Sequence, residues 1–194
     1  MVFNKHKIVF VAIPKTASTS ISFLLGSDVD IVYGSDHYSL KDIYDFNSTL
    51  KNKSYEVVTC VRNPYDRFVS AYEHMKRNDN LFGDFDIIGK VKDLKYKVEN
   101  NPRTNGWDEH VDDQVWMSQS YWVSHNSRYK IDTILRFESL ESDINNLINR
   151  YPTIENELQE RNIGEYTPYE LTQDEKDAIY DLYQEDFELF GYSK

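Results

Sequence analysis

Apolar residues occur in two kinds of run along this chain. Ile8-Val9-Phe10-Val11-Ala12-Ile13 and the stretch from Tyr55 to Val61 are almost continuously apolar and rich in branched side chains. Such runs predict strands covered on both faces of a parallel sheet. Ile131 to Phe137 reads as a third strand. Elsewhere the apolar positions recur at the helical period. Thr19 to Leu25 reads as a short helix stopped by Gly26. Ser39-Leu40-Lys41-Asp42 is a capping box, opening a helix with the stripe Leu40, Ile43 and Tyr44. Asn63 is placed to cap a third helix and Pro64 to take its first position. Its core stripe is Phe68, Ala71, Tyr72 and Met75, while Asn63, Arg67 and Ser70 share another face. Helices are also predicted over Val111 to Val123, along Leu140, Ile144, Leu147 and Ile148, and after the capping box Thr172-Gln173-Asp174-Glu175. Arg77 to Gly106 is polar, as loops or exposed helices bordering a site tend to be. Strands alternating with helices predict an α/β domain, with a mostly parallel central sheet flanked by helices.

Composition narrows the function classes. The 194 residues suffice for a single domain spanning 1–194. Thirty-three acidic against 22 basic residues give a net charge of -11. That balance disfavours general binding to nucleic acid or to an anionic membrane, but a few placed cations still control the potential inside a cleft. Cys60 is the single cysteine and lies in an apolar run, as a buried inert thiol does. Lys5 and Lys7 precede too short an apolar run for a signal core or a spanning helix, so a cytoplasmic protein without membrane attachment is expected.

The chemistry concentrates in two segments that follow strands. Pro14-Lys15-Thr16-Ala17-Ser18-Thr19-Ser20 offers an ammonium and four hydroxyls where a helix begins. Free N–H groups and the helix dipole favour an anion there. The Gly-x-x-x-x-Gly-Lys-Ser/Thr spacing of an ATP loop is missing, as is a clear Asp to hold Mg²⁺. Arg62-Asn63-Pro64-Tyr65-Asp66-Arg67-Phe68-Val69-Ser70 ends a strand on a guanidinium, whose planar fork of donors suits phosphate. Ser70, two turns into the following helix, offers a hydroxyl for the same anion. The plainer readings are a capped helix at the first segment and surface ion pairs of Arg62 and Arg67, with Asp66 or another carboxylate, at the second.

Together these segments resemble the family 2 sulfotransferases, which include heparan sulfate 2-O- and chondroitin-type carbohydrate sulfotransferases. Pro-Lys-Thr-Ala-Ser-Thr-Ser is similar to that family's 5′-phosphosulfate loop, although many members carry Gly where this chain has Ser18. Arg-Asn-Pro-Tyr-Asp-Arg-Phe-Val-Ser-Ala-Tyr is similar to its 3′-phosphate motif. The likeness extends to Ile131 through Leu140 and to Tyr183 through Tyr192, and so over nearly the whole chain. It implies a P-loop-like three-layer fold and 3′-phosphoadenosine 5′-phosphosulfate (PAPS) as donor, with no metal. It also implies a sugar or other small-molecule acceptor. Lys15, Thr16, Ala17, Ser18, Thr19 and Ser20 would hold the 5′ end, Arg62 and Ser70 the 3′-phosphate. Lys15 would also offset the charge that builds on the leaving oxygen. An ATP-dependent small-molecule kinase and a non-catalytic nucleotide-binding module are the rival classes.

Transfer to a hydroxyl calls for a general base, and histidine is most readily poised near neutral pH. His37 resembles the catalytic base of the heparan 2-O-type members. His110, in Asp108-Glu109-His110-Val111-Asp112-Asp113-Gln114, is the alternative and is similar to a family His-x-x-x-Gln segment. Gln119 is an equally possible partner for that pattern. Lys90, Lys92, Lys95 and Lys97 would either line the approach of an anionic acceptor or form a solvated face.

Overall fold

A computed structural model of the chain describes residues 1–26, 29–30, 37–52, 54–77, 86–100, 114–123, 131–159 and 169–194. These fall into two compact units, Met1–Arg62 with Gln119–Asn162, and Asn63–Ser118 with Ile163–Lys194. The strands are β1 (Val2–Phe3), β2 (Ile8–Val11), β3 (Val29–Asp30), β4 (Glu56–Val61) and β5 (Thr133–Arg136). Among the described residues the α-helices include α1 (Ser18–Leu25), α2 (Leu40–Phe46), α3 (Pro64–Arg77), α4 (Ile87–Asn100), α5 (Gln119–Val123), α6 (Leu140–Arg150) and α7 (Gln173–Phe190), with 3-10 turns at Ser48–Asn52 and Phe137–Ser139.

The first unit carries the whole sheet, in the order β3-β1-β2-β4-β5. β2, β4 and β5 are parallel neighbours, in the register Val11↔Thr59 and Val61↔Arg136. β1 runs antiparallel to both β2 and β3, so it alone opposes the common direction. This is the mostly parallel α/β sheet that the uninterrupted apolar runs predict. Ile8, Phe10, Val58, Cys60 and Leu135 pack with Ile21, Leu24 and Leu25 of α1 and with Ile144 and Leu147 of α6. The alternate residues Val9, Val11, Val57 and Thr59 are just as buried, so both faces are covered. Burying each large apolar side chain contributes on the order of 1.5–3 kcal/mol before the entropy of ordering the chain is set against it.

Local signals place the helix ends. Ser39 and Asp42 close a reciprocal capping box at α2, as do Thr172 and Glu175 at α7. Asn63 Oδ1 accepts the Tyr65 N–H at 2.9 Å, with Pro64 as the first residue of α3. α1 stops at Gly26, whose φ of 101° lies in the region glycine tolerates best.

The second unit contains α3, α4 and α7. Two expectations change there. Arg67, read from sequence as sharing a polar face, is buried at 1 % exposure. Its Nη2 donates to Val115 O at 3.1 Å and Met117 O at 2.5 Å, while Tyr183 Oη donates to Trp116 O at 2.6 Å. These bonds also correct the helix predicted over Val111 to Val123. Of its described residues Gln114 and Gln119–Val123 (α5) are helical and Val115–Ser118 are not, the carbonyls of 115–117 being taken by side chains; residues 111–113 lie outside the described residues. The lysine stretch is on α4. Lys90 is buried against Trp116 and bonded to Asp93 at 3.2 Å, Lys97 pairs with Asp93, and Lys95 with Asp181. No described helix is long and apolar enough to cross a membrane.

Candidate active site

The loop from Ala12 to Ala17 leaves the carboxyl end of β2, the end where ligands gather in α/β sheets. It makes two corners with non-glycine residues in the left-handed region, Lys15 at φ 67° and Ala17 at φ 61°. The third such residue among those described, Lys7, sits in the tight turn between β1 and β2. A left-handed non-glycine residue costs on the order of 1–3 kcal/mol, and such strain gathers where a ligand is held. Left-handed corners of this kind turn backbone N–H groups toward a common concavity suited to an anion. Ala17 is the N-cap of α1, and it has no side-chain oxygen with which to close the helix start.

The hydroxyls of this loop do not all face one way. Thr16 is fully buried and its Oγ1 donates to Ile13 O at 2.9 Å, so this hydroxyl braces the turn. Ser18 and Ser20 are buried, at 8 % and 5 % exposure. Thr19 is exposed and Lys15 half-buried.

His37 reaches the same loop. Its Nδ1 lies 2.7 Å from Ala12 O. A carbonyl only accepts, so Nδ1 carries a proton. The imidazole is edge-on to Trp122 of α5, with ring centroids 6.1 Å apart. Trp122 Nε1 is buried without a hydrogen-bond partner, a position that a ligand oxygen would satisfy. His6, in contrast, is spent on structure, bonded to Thr153 Oγ1 at 2.8 Å and Leu25 O at 2.9 Å.

Arg62 follows the last residue of β4. Its Nη1 donates to Lys15 O at 3.4 Å, and its guanidinium lies 4.0 Å over the Phe137 ring. Its own peptide is gripped by Gln119, whose Oε1 accepts the Arg62 N–H at 2.9 Å and whose Nε2 donates to Arg62 O at 2.8 Å. The first unit thus brings together Lys15, His37 and Arg62. Ser70 is half-buried on α3 of the second unit, and His110 lies outside the described residues. Cys60 is no nucleophile: burial, aided by Glu138 and Asp143, pushes its thiol far above the usual range. Trp122 and Phe137 carried no signal in sequence, because only the fold brings them beside His37 and Arg62. Gln119 could be found as a glutamine of the His-x-x-x-Gln pattern, but not as the partner of Arg62.

A strand, a strained loop carrying a lysine, a helix, and a parallel strand followed by an arginine make up a P-loop-like α/β fold. The chain belongs to the sulfotransferase family, whose model matches residues 1–193, and is therefore an enzyme of sulfuryl transfer. No curated protein and no solved structure matches it.

Proposed function

We propose that the chain takes the sulfuryl group from PAPS and delivers it to a hydroxyl of a sugar or other small molecule. One observation carries this reading: Arg62 Nη1 meets Lys15 O while His37 Nδ1 meets Ala12 O, so a guanidinium and the base candidate both lean on the backbone of the loop that carries Lys15. The residues present fit the donor. The strained Lys15–Ala17 loop and the start of α1 suit a phosphosulfate, and a guanidinium set against an aromatic face suits a phosphate.

When bound, PAPS supplies an activated sulfuryl group whose departure leaves negative charge on a 5′-phosphate oxygen. Lys15 offsets that charge with a compact ammonium. The backbone of Thr16 through Ser20 and the exposed Thr19 hydroxyl orient the 5′ end, while the buried Thr16 hydroxyl keeps the loop in shape. Arg62, with Ser70 by the likeness of its motif, holds the 3′-phosphate. His37 accepts the acceptor's hydroxyl proton at Nε2, and the Nδ1–H bond to Ala12 O steadies the cation that results. His110 is the rival base. Aligning nucleophile and leaving group is the remaining contribution, as in phosphoryl transfer.

The test is a transfer assay with labelled PAPS and a panel of sugar and small-molecule hydroxyls, run with and without excess ATP. Label moving to an acceptor, unaffected by ATP, supports the reading. Absence of both PAPS turnover and adenosine 3′,5′-bisphosphate binding contradicts it. If H110A abolishes transfer and H37A does not, the base is His110.

A further inference from the structure

We infer that Gln119 is a positioning residue for donor recognition, fixing the peptide of Arg62 so that the guanidinium is aimed before the 3′-phosphate arrives. The inference rests on the donor reading above. Gln119 is fully buried and opens α5. Its carboxamide exchanges both bonds with a single residue, accepting the Arg62 N–H at 2.9 Å and donating to the Arg62 carbonyl at 2.8 Å.

That is the exchange two directly opposed residues make in an antiparallel pair. Arg62 lies one residue beyond Val61↔Arg136, the last pair that β4 makes with β5. At that point the sheet stops holding the chain and the side chain of Gln119 takes over. A carboxamide offers a donor and an acceptor side by side with no charge at any pH. A hydrocarbon of equal size would fill the space and remove the partner of both peptide groups. The tip of Arg62 is held as well, by Lys15 O and the Phe137 ring. With both root and tip fixed, less rotamer freedom remains to be lost on binding, which favours affinity.

The test compares two ligands that differ only in the 3′-phosphate: adenosine 3′,5′-bisphosphate and adenosine 5′-phosphate. Calorimetric titrations use the full chain as wild type, Q119L, Q119E and R62A, and the double variant R62A/Q119L. Q119E, titrated at a pH alkaline enough to ionise the buried carboxyl, keeps the size and the bond from the Arg62 N–H but has no donor for the carbonyl. Misaligning a charge-assisted contact is expected to weaken the bisphosphate roughly tenfold in Q119L and Q119E. The monophosphate is expected to stay within about twofold, because it makes no such contact. On the R62A background Q119L is expected to add nothing, as for two residues acting through one contact. Equal weakening of both ligands, or full additivity with R62A, overturns the proposal, since a merely structural glutamine gives that result. Where thermal melting shows Q119L unfolded, Q119E decides on the same criteria. A wild type that binds both ligands alike overturns the donor reading and this proposal with it. Discrimination that survives intact in both Gln119 variants overturns this proposal alone.

Discussion

Both ends of the first unit's sheet are polar, but they are built differently. Where β4 and β5 begin, Glu56 accepts bonds from Thr133, Tyr151 and Arg150, and Arg150 Nη2 also reaches Thr133 Oγ1 at 3.0 Å. Partial burial pushes the Glu56 carboxyl up, but the three bonds outweigh it and hold it below its ordinary value. Burial and the bond to Glu56 push the Tyr151 phenol up to about 12. Where β2 and β4 finish, His37 and Arg62 lean on the carbonyls of Ala12 and Lys15 and on an aromatic face. The loop there is strained at two residues, and the Trp122 N–H is buried without a partner. A cluster whose donors and acceptors answer one another serves stability. One held by backbone carbonyls and an aromatic face around an unanswered donor is the kind proposed here for a ligand.

The sharpest way to break this contrast is at His37. H37A is expected to lower transfer at least a hundredfold while the affinity for adenosine 3′,5′-bisphosphate stays within about twofold, read by assay and calorimetry. R62A is expected to weaken the bisphosphate by about 1.5–3 kcal/mol, roughly ten- to a hundredfold, with little change in melting temperature. The opposite end should respond in reverse. E56Q is expected to cost about 1–3 kcal/mol of stability and leave nucleotide affinity unchanged, read by denaturant unfolding. Its pH signature has a definite sign. Because Glu56 is held below its ordinary 4.5, its contribution is complete above that value and is lost as acid carries the pH through the lowered one, so E56Q flattens that limb. Y151F is the mildest, about 1 kcal/mol at neutral pH. It also removes the part of the alkaline loss that Tyr151 adds as the pH rises from 10.0 to about 12.

The local features of this fold were legible in the sequence. Branched apolar runs announced β2 and β4, and both capping boxes closed on the residues read for them, Ser39 with Asp42 and Thr172 with Glu175. The two loops were legible as anion sites because lysine, hydroxyls and arginine stand next to strand ends. What stayed hidden depends on distant partners. Nothing near Arg67 announces that it is buried under the carbonyls of Val115 and Met117, and those same bonds shorten the helix predicted there. Gln119 lies 57 residues from the peptide it grips, and Glu56 lies 94 and 95 residues from Arg150 and Tyr151. Periodicity carries no record of such pairings. The roles within the loop were also coarser in sequence, where the four hydroxyls of Thr16 through Ser20 looked alike. Only the fold separates Thr16, turned inward to Ile13 O, from the exposed Thr19.

A crystal structure of the chain with adenosine 3′,5′-bisphosphate tests the central claim most directly. The 5′-phosphate is expected on the Lys15–Ser20 loop, the 3′-phosphate on Arg62, and His37 facing the space beside Lys15. A bisphosphate bound in the reverse sense, or away from both loops, would contradict it.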